Sequence, residues 1–246
     1  MRSFIDLHLR PNLEERGEIE RIIKRSAELR YKAVGVSLSQ DKLQEKAREI
    51  RKICSDVGID FISRIDLEPR SSAELLRSLR FLRRRVEVIA VKCLSKSVAR
   101  QAAKDRRVDI LSFSPIDLKR RFFDSAEAEL ASKTQVSLEF DMAPLLYLHG
   151  NQRINLLWKM RIETIIAKKF DVPIVLSSGV SEAWLLRKPE DYASLGYLFG
   201  LDLENAKKAI SENPKKIVER NRRKLSPNYV APGIYVIRRG EDCPKQ

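Results

Sequence analysis

Short apolar runs alternate along the chain with longer stretches in which apolar residues return every three or four positions. The runs occupy 4–7 (FIDL), 33–38 (AVGVSL), 60–67 (DFISRIDL), 86–91 (VEVIAV), 108–113 (VDILSF), 135–140 (QVSLEF) and 172–177 (VPIVLS). Their length and β-branched content predict strands. They start 22 to 37 residues apart, the period of a βα unit. Most are apolar on both faces, as parallel strands covered from both sides must be.

The intervening segments carry helical periodicity. Leu43, Ala47, Ile50, Ile53, Cys54 and Val57 make one stripe, and Leu75, Leu76, Leu79 and Leu82 another. A longer stripe runs through Ile154, Leu157, Trp158, Arg161, Ile162, Ile165 and Ile166. All three faces are expected in the core. After the seventh run come PEDYASLGYLFG, DLENAKKAI and NPKKIVERNRRK, where Asn213 and Pro214 supply an N-cap and a first helical residue. No glycine-rich GxGxxG follows the first strand, which removes the main support for a dinucleotide-binding open sheet. The expectation is an α/β fold: a TIM-like barrel of about seven parallel strands over 1–226, closed by C-terminal helices. Residues 227–246, with Pro227, Pro232 and Gly233, are expected to form an extended or partly disordered extension.

Length and composition fit that picture. The chain has 246 residues, enough for one large domain, and is 33% charged and 43% hydrophobic, which is globular. Lys and Arg outnumber Asp and Glu by 48 to 34, a net charge of +14 that points to a polyanion partner. The three cysteines, Cys54, Cys93 and Cys243, form no CxxC and suggest a reduced, cytoplasmic protein. No signal peptide and no run of 18 apolar residues is present, so neither secretion nor a membrane is expected.

In a barrel, chemistry is built at the C-terminal ends of strands. Those ends offer a polar cluster of Asp6, His8, Asp66, Glu139, Asp141, Ser177 and Ser178, joined by Arg10, Arg64 and Lys92. With only two histidines, His8 and His149, an imidazole-rich multinuclear metal site is excluded. A carboxylate-based site remains conceivable, but three cations at comparable places repel a metal, and acids pairing with bases is the simpler reading. Ser177 and Ser178 before Gly179 fit either a phosphate cradle or a plain turn. No catalytic residue and no metal ligand is assigned.

Basic clusters recur at 80–85, 104–107, 118–121, 185–189 and 215–224. Each cation that meets a phosphate releases condensed counterions, so such clusters supply sequence-independent RNA affinity. Candidates for RNA contact are Arg10, Arg64 and Lys92 at the strand ends, and Arg106 and Arg107 in the second cluster. Lys119, Arg120, Arg121, Arg187 and Lys188 follow, and then Lys215, Lys216, Arg220, Arg222 and Arg223. Phe122 and Phe123 beside the third cluster suit RNA, a protein interface or the core.

The opening FIDLHLRP, the block at 176–221 (LSSGVSEAWLL through KKIVERN) and the order of the units together resemble the archaeal ribonuclease P protein component 3 family, counterpart of the thirty-kilodalton subunit of the eukaryotic enzyme. The resemblance covers nearly the whole chain. It implies a barrel related to the polymerase-and-histidinol-phosphatase metallohydrolases that serves as a protein subunit of a ribonucleoprotein. There the RNA carries the active site, uses magnesium and cuts precursor tRNA to its mature 5′ end. The protein supports that RNA, paired with protein component 2 in a heterotetramer, and binds no cofactor itself. The metallohydrolases begin with a strand bearing HxH, where this chain has His8-Leu9-Arg10. A guanidinium cannot ligate a metal but can donate to phosphate. A metal-dependent phosphoesterase is the alternative.

Overall fold

The computed structural model describes residues 3–231 and 234–236. The seven apolar runs become seven strands: β1 (Ile5–Leu9), β2 (Ala33–Ser37), β3 (Asp60–Leu67), β4 (Val88–Lys92), β5 (Ile110–Ser112), β6 (Ser137–Asp141) and β7 (Ile174–Ser177). They pair in parallel and in chain order, each followed by helix on the outside. The helices are α1 (Arg16–Glu28), α2 (Leu43–Asp56), α3 (Ser72–Leu82), α4 (Lys96–Ala103), α5 (Ser125–Thr134), α6 (Ala143–Tyr147), α7 (Gly150–Lys169), α8 (Pro189–Leu195), α9 (Leu203–Ala209) and α10 (Glu212–Leu225). The expected TIM-like barrel of seven strands is present.

With seven strands, β1 and β7 must close the ring without an eighth, and their edge groups need partners. At the C-terminal end the chain just past β7 supplies them. The Arg10 amide donates to the Val180 carbonyl at 2.8 Å and the Gly179 amide to the His8 carbonyl at 2.9 Å. At the other end the Ile5 amide donates to the Ile210 carbonyl at 3.0 Å, and the Asn213 side-chain amide to the Ile174 carbonyl at 2.8 Å. Asn213 is therefore a stitch between α10 and β7. It is not the expected N-cap, because α10 starts two residues earlier, at Glu212, and Ser211 holds the cap position.

Two hydrophobic layers follow from the two faces of the strands. Between strands and helices lies the larger one, holding Ile50, Leu75, Leu79 and their neighbours from the predicted stripes. Inside the barrel, Ile5, Leu7, Ala33, Ile62, Val88, Ala90, Ile110 and Val175 pack together, and Ile217 and Val218 of α10 plug them from the N-terminal end. Two residues further along the strands, the same inward parity brings Arg64, Ser112, Glu139 and Ser177, so the interior turns from apolar to polar on the way to the mouth. Gly35 marks the crossing: a Cβ there would stand 2.5 Å from the Leu7 carbonyl oxygen.

The long stripe on α7 is the exception to the expected core. Its buried side is Leu156, Met160, Glu163, Thr164 and Ala167, while Ile154, Trp158 and Ile165 face solvent. The charged Glu163 is turned inward because Arg121 meets it there. In the C-terminal extension, Tyr229–Ala231 (β8) pairs antiparallel with Ile234–Tyr235 (β9); 232–233 and 237–246, with Cys243, lie outside the described residues. Cys54 and Cys93 are buried free thiols.

Candidate functional site: a charged barrel mouth

Arg64 sits at the centre of the mouth with its side chain 0% exposed. Its guanidinium grips both oxygens of Glu139 at 2.6 Å, reaches Asp66 at 2.7 and 3.0 Å, and donates to the Leu7 carbonyl at 3.0 Å. Forked pairing of this kind is what a planar guanidinium does best. Around it the remaining polar groups interlock. The Ser177 hydroxyl donates to Glu139 at 2.6 Å, Ser37 donates to Asp66, and the Lys92 ammonium pairs with Glu68 at the rim.

His8 fills the space between the acids. Its Nδ1 lies 2.7 Å from Asp141, and its Nε2 3.3 Å from Asp66. Burial and the nearby Arg64 charge both favour neutral imidazole, yet Asp141 and Asp66 outweigh them and raise the pKa to about 9. His8 is therefore an imidazolium at neutral pH. Burial opposes charge on the two acids as well, but Arg64 and His8 hold Asp66 well below, and Asp141 below, the usual carboxylate range. The mouth is a closed set of cations and anions.

Asp6 does not join it. A register shift in β1 between Asp6 and Leu9 turns His8 into the mouth and leaves Asp6 on the helix side. There its Oδ1 accepts from the His8 and Ser178 amides, both at 3.0 Å, and burial pushes its pKa up. Ser178, fully buried, donates to the His8 carbonyl at 3.2 Å. Gly179, at φ 65°, passes so close to Asp141 that a Cβ would stand 2.6 Å from its carboxyl carbon. Ser177 and Ser178 thus spend their hydroxyls inside the protein, which corrects the phosphate-cradle reading in favour of a turn.

The metal question turns on donors. His8, Glu139 and Asp141 offer ligand atoms within 4.8 Å of one another. Both Glu139 oxygens already accept from Arg64, and an ion would also have to displace the proton that Asp141 and Asp66 hold on His8. The Arg64 guanidinium already supplies the cation that Glu139 and Asp66 pair with, and its charge opposes a second one beside it, so these residues do not fit a metal ion.

The predicted RNA-binding residues separate into three groups. Arg64 and Arg121 are corrected: both are buried, and Arg121 binds Glu163 in a forked pair while donating to the Phe113 carbonyl, out of reach of phosphate. Exposed Arg10, Lys119, Arg120 and Lys188, with half-buried Lys92 and Arg187, ring the mouth end. At the opposite end Arg106, Lys215, Lys216 and Arg223 are exposed, whereas Arg107 pairs with Asp105. There Arg220 binds Asp109 and Arg222 binds Asp60 and Glu87, locking α10 across the N-terminal ends of β3, β4 and β5. Phe123 is core, its ring edge-on to Phe113. Exposed His149 sits at the N-cap position of α7 without capping it. Ser37 is legible in the sequence as a polar strand-end residue, which the structure pairs with Asp66, whereas nothing local marks Glu163 as the partner of Arg121.

Comparison with known proteins places these features. The family model of RNase P subunit p30 matches residues 3–226. The chain is 30% identical to ribonuclease P protein component 3 of Methanosarcina mazei over 224 residues, which are 91% of each protein. Its fold matches a chain in the cryo-EM structure of archaeal ribonuclease P with mature tRNA, with a TM-score of 0.83 and 24% identity over 97% of this chain and 100% of that one. A histidinol phosphate phosphatase from Lactococcus lactis, solved with zinc, L-histidinol and phosphate, shares the barrel at a TM-score of 0.51 and 8% identity, covering 89% and 94% of the two chains.

Proposed function

The chain belongs to the RNase P subunit p30 family, and from that premise we propose that it is a protein subunit of ribonuclease P that supports the RNA without cutting it. It pairs with protein component 2 in a heterotetramer, acts on precursor tRNA only through the holoenzyme, and leaves magnesium to the RNA. Its setting is the cytoplasm; among the described residues no helix is long and apolar enough to cross a membrane. The observation that carries the non-catalytic part of this reading is Arg64. A buried guanidinium paired with Glu139 and Asp66 consumes the carboxylates that hydrolysis would need, and His8 is held protonated beside them. The mouth does structural work, and the exposed cations around the barrel supply contact with phosphate.

Reconstitution tests this. Alone, the purified chain should leave precursor tRNA intact. Added with component 2 to the ribonuclease P RNA, it should lower the magnesium needed for cleavage. Cleavage by the isolated chain that chelator abolishes and Glu139→Gln removes would instead establish the phosphoesterase alternative, and stoichiometric zinc or manganese in elemental analysis would agree with it.

A further inference from the structure

Ile154, Trp158 and Ile165 of α7 are 62%, 60% and 59% exposed. Spaced by four and seven residues, they stand in one row along the helix. The turn at Gly196–Phe199 packs against α7 and adds Tyr197 and Leu198, 58% and 56% exposed. Single exposed apolar residues are ordinary on a soluble protein, but a row of them with a tryptophan at its centre marks a contact surface.

The charges around the row say what covers it. Arg153, Lys159, Arg161 and Lys169 lie on α7 and reach solvent, while Lys168 beside them pairs with Asp202. The helix's one carboxylate, Glu163, is turned inward onto Arg121. We propose that the outer face of α7, with the 196–199 turn, docks a partner protein that presents an apolar ridge bordered by carboxylates. A second copy of this chain would set Arg161 and Lys169 against their own kind. RNA would neutralise the cations, but Ile154, Ile165 and Leu198 have no ring for a base to stack on, so their burial would go unrewarded. The inference rests on reading the chain as a subunit that pairs with component 2, and takes that protein as the occupant.

The test is calorimetric titration with purified component 2 as the probe. Wild type should bind. Trp158→Asp combined with Ile165→Asp should weaken binding about 100-fold, as the removal of two central interface side chains does. Arg161→Glu alone should weaken it about tenfold, with the deficit shrinking in high salt. Thermal unfolding and affinity for ribonuclease P RNA should stay as in wild type, because these side chains point into solvent. Should the aspartates disturb folding, Trp158→Ala with Ile165→Ser gives a milder version of the same comparison. Binding of component 2 within twofold of wild type overturns the proposal. So does a loss confined to RNA affinity, or a wild-type dimer in sedimentation that Trp158→Asp dissolves. If wild type fails to bind component 2 at all, the pairing reading fails at the first titration and the proposed occupant falls with it.

Discussion

Arg64 decides what the mouth can be, and its removal gives the sharpest single-residue outcome. A buried ion pair adds little net stability over an apolar pair of the same shape, but stripping one partner leaves charge without compensation. Arg64→Met should therefore cost about 3 to 5 kcal/mol, read as a fall in the urea midpoint. Adding Glu139→Gln to it should recover part of the loss, because one fewer buried carboxylate is then unmatched; a double variant less stable than the single would contradict the account. His8 gives a pH signature. Its pKa is 6.5 in ordinary surroundings and about 9 here, so its stabilisation is complete below pH 6.5 and is lost as pH rises through 9. The linkage is worth roughly 3 kcal/mol. Melting temperature should decline between those values more steeply in wild type than in His8→Gln, where buried Glu127, its pKa raised to about 8, leaves a residual decline; equal slopes would mean that His8 is neutral. Asp66 and Asp141, held low by Arg64 and His8, work in the other direction and lose their contribution only in acid. The polar strand ends were legible in the sequence because strand parity points them inward. The placement of Asp6 was not, since a register shift in β1 leaves no local mark, and a strand-end arginine looks the same whether its charge meets phosphate or a buried carboxylate.

Among the elements, α10 is the plug of the barrel, and its residues divide by what they touch. Asn221 is fully buried and donates to the Glu87 carbonyl and to Asp109, both at 2.7 Å. Asn221→Ala should cost about 1 to 3 kcal/mol, the penalty for leaving buried acceptors unmet, whereas Lys216→Ala on the exposed side of the same helix should stay within about 0.5 kcal/mol. Chemical denaturation of the two variants side by side checks this; equal midpoints would show that α10 does not hold the barrel shut. The seven strands and the closing helices could be read from the sequence because a buried parallel strand must be apolar on both faces, and little else in a soluble chain is. The apolar periodicity of α7 was equally plain, yet it pointed to the wrong side. Periodicity reports that a face avoids water, not which molecule covers it. On α7 the protein's own core takes the Leu156–Met160 side and the inward Glu163, leaving the isoleucine and tryptophan row outside.

For the whole molecule, a net charge of +14 is informative only after the committed cations are set aside. Arg64 and Arg121 are inside, and Arg107, Arg220 and Arg222 are tied to carboxylates around the N-terminal end of the barrel. The exposed candidates for RNA contact stand at opposite ends, Arg120 and Lys215 among them in surface pairs with Asp117 and Glu219, separated by the length of α7, about 30 Å for a helix of 20 residues. One RNA helix lying across one end cannot neutralise both. The mouth end is the better anion face: Arg64 and His8 offset two of its three central carboxylates, and the exposed rim of Arg10, Lys119 and Lys188, with Arg120 beside its partner Asp117, outweighs the one left over. Binding of ribonuclease P RNA should weaken steeply with salt. In the triple variant Lys119→Ala, Arg120→Ala and Lys188→Ala, the slope of log K against log salt should shrink by about one for each phosphate no longer neutralised. The matching triple at the far end, Lys215→Ala, Lys216→Ala and Arg223→Ala, should leave that slope nearly unchanged. Filter-binding titrations at several salt concentrations measure both slopes, and the reverse pattern would move the RNA face from the mouth of the barrel to its plug.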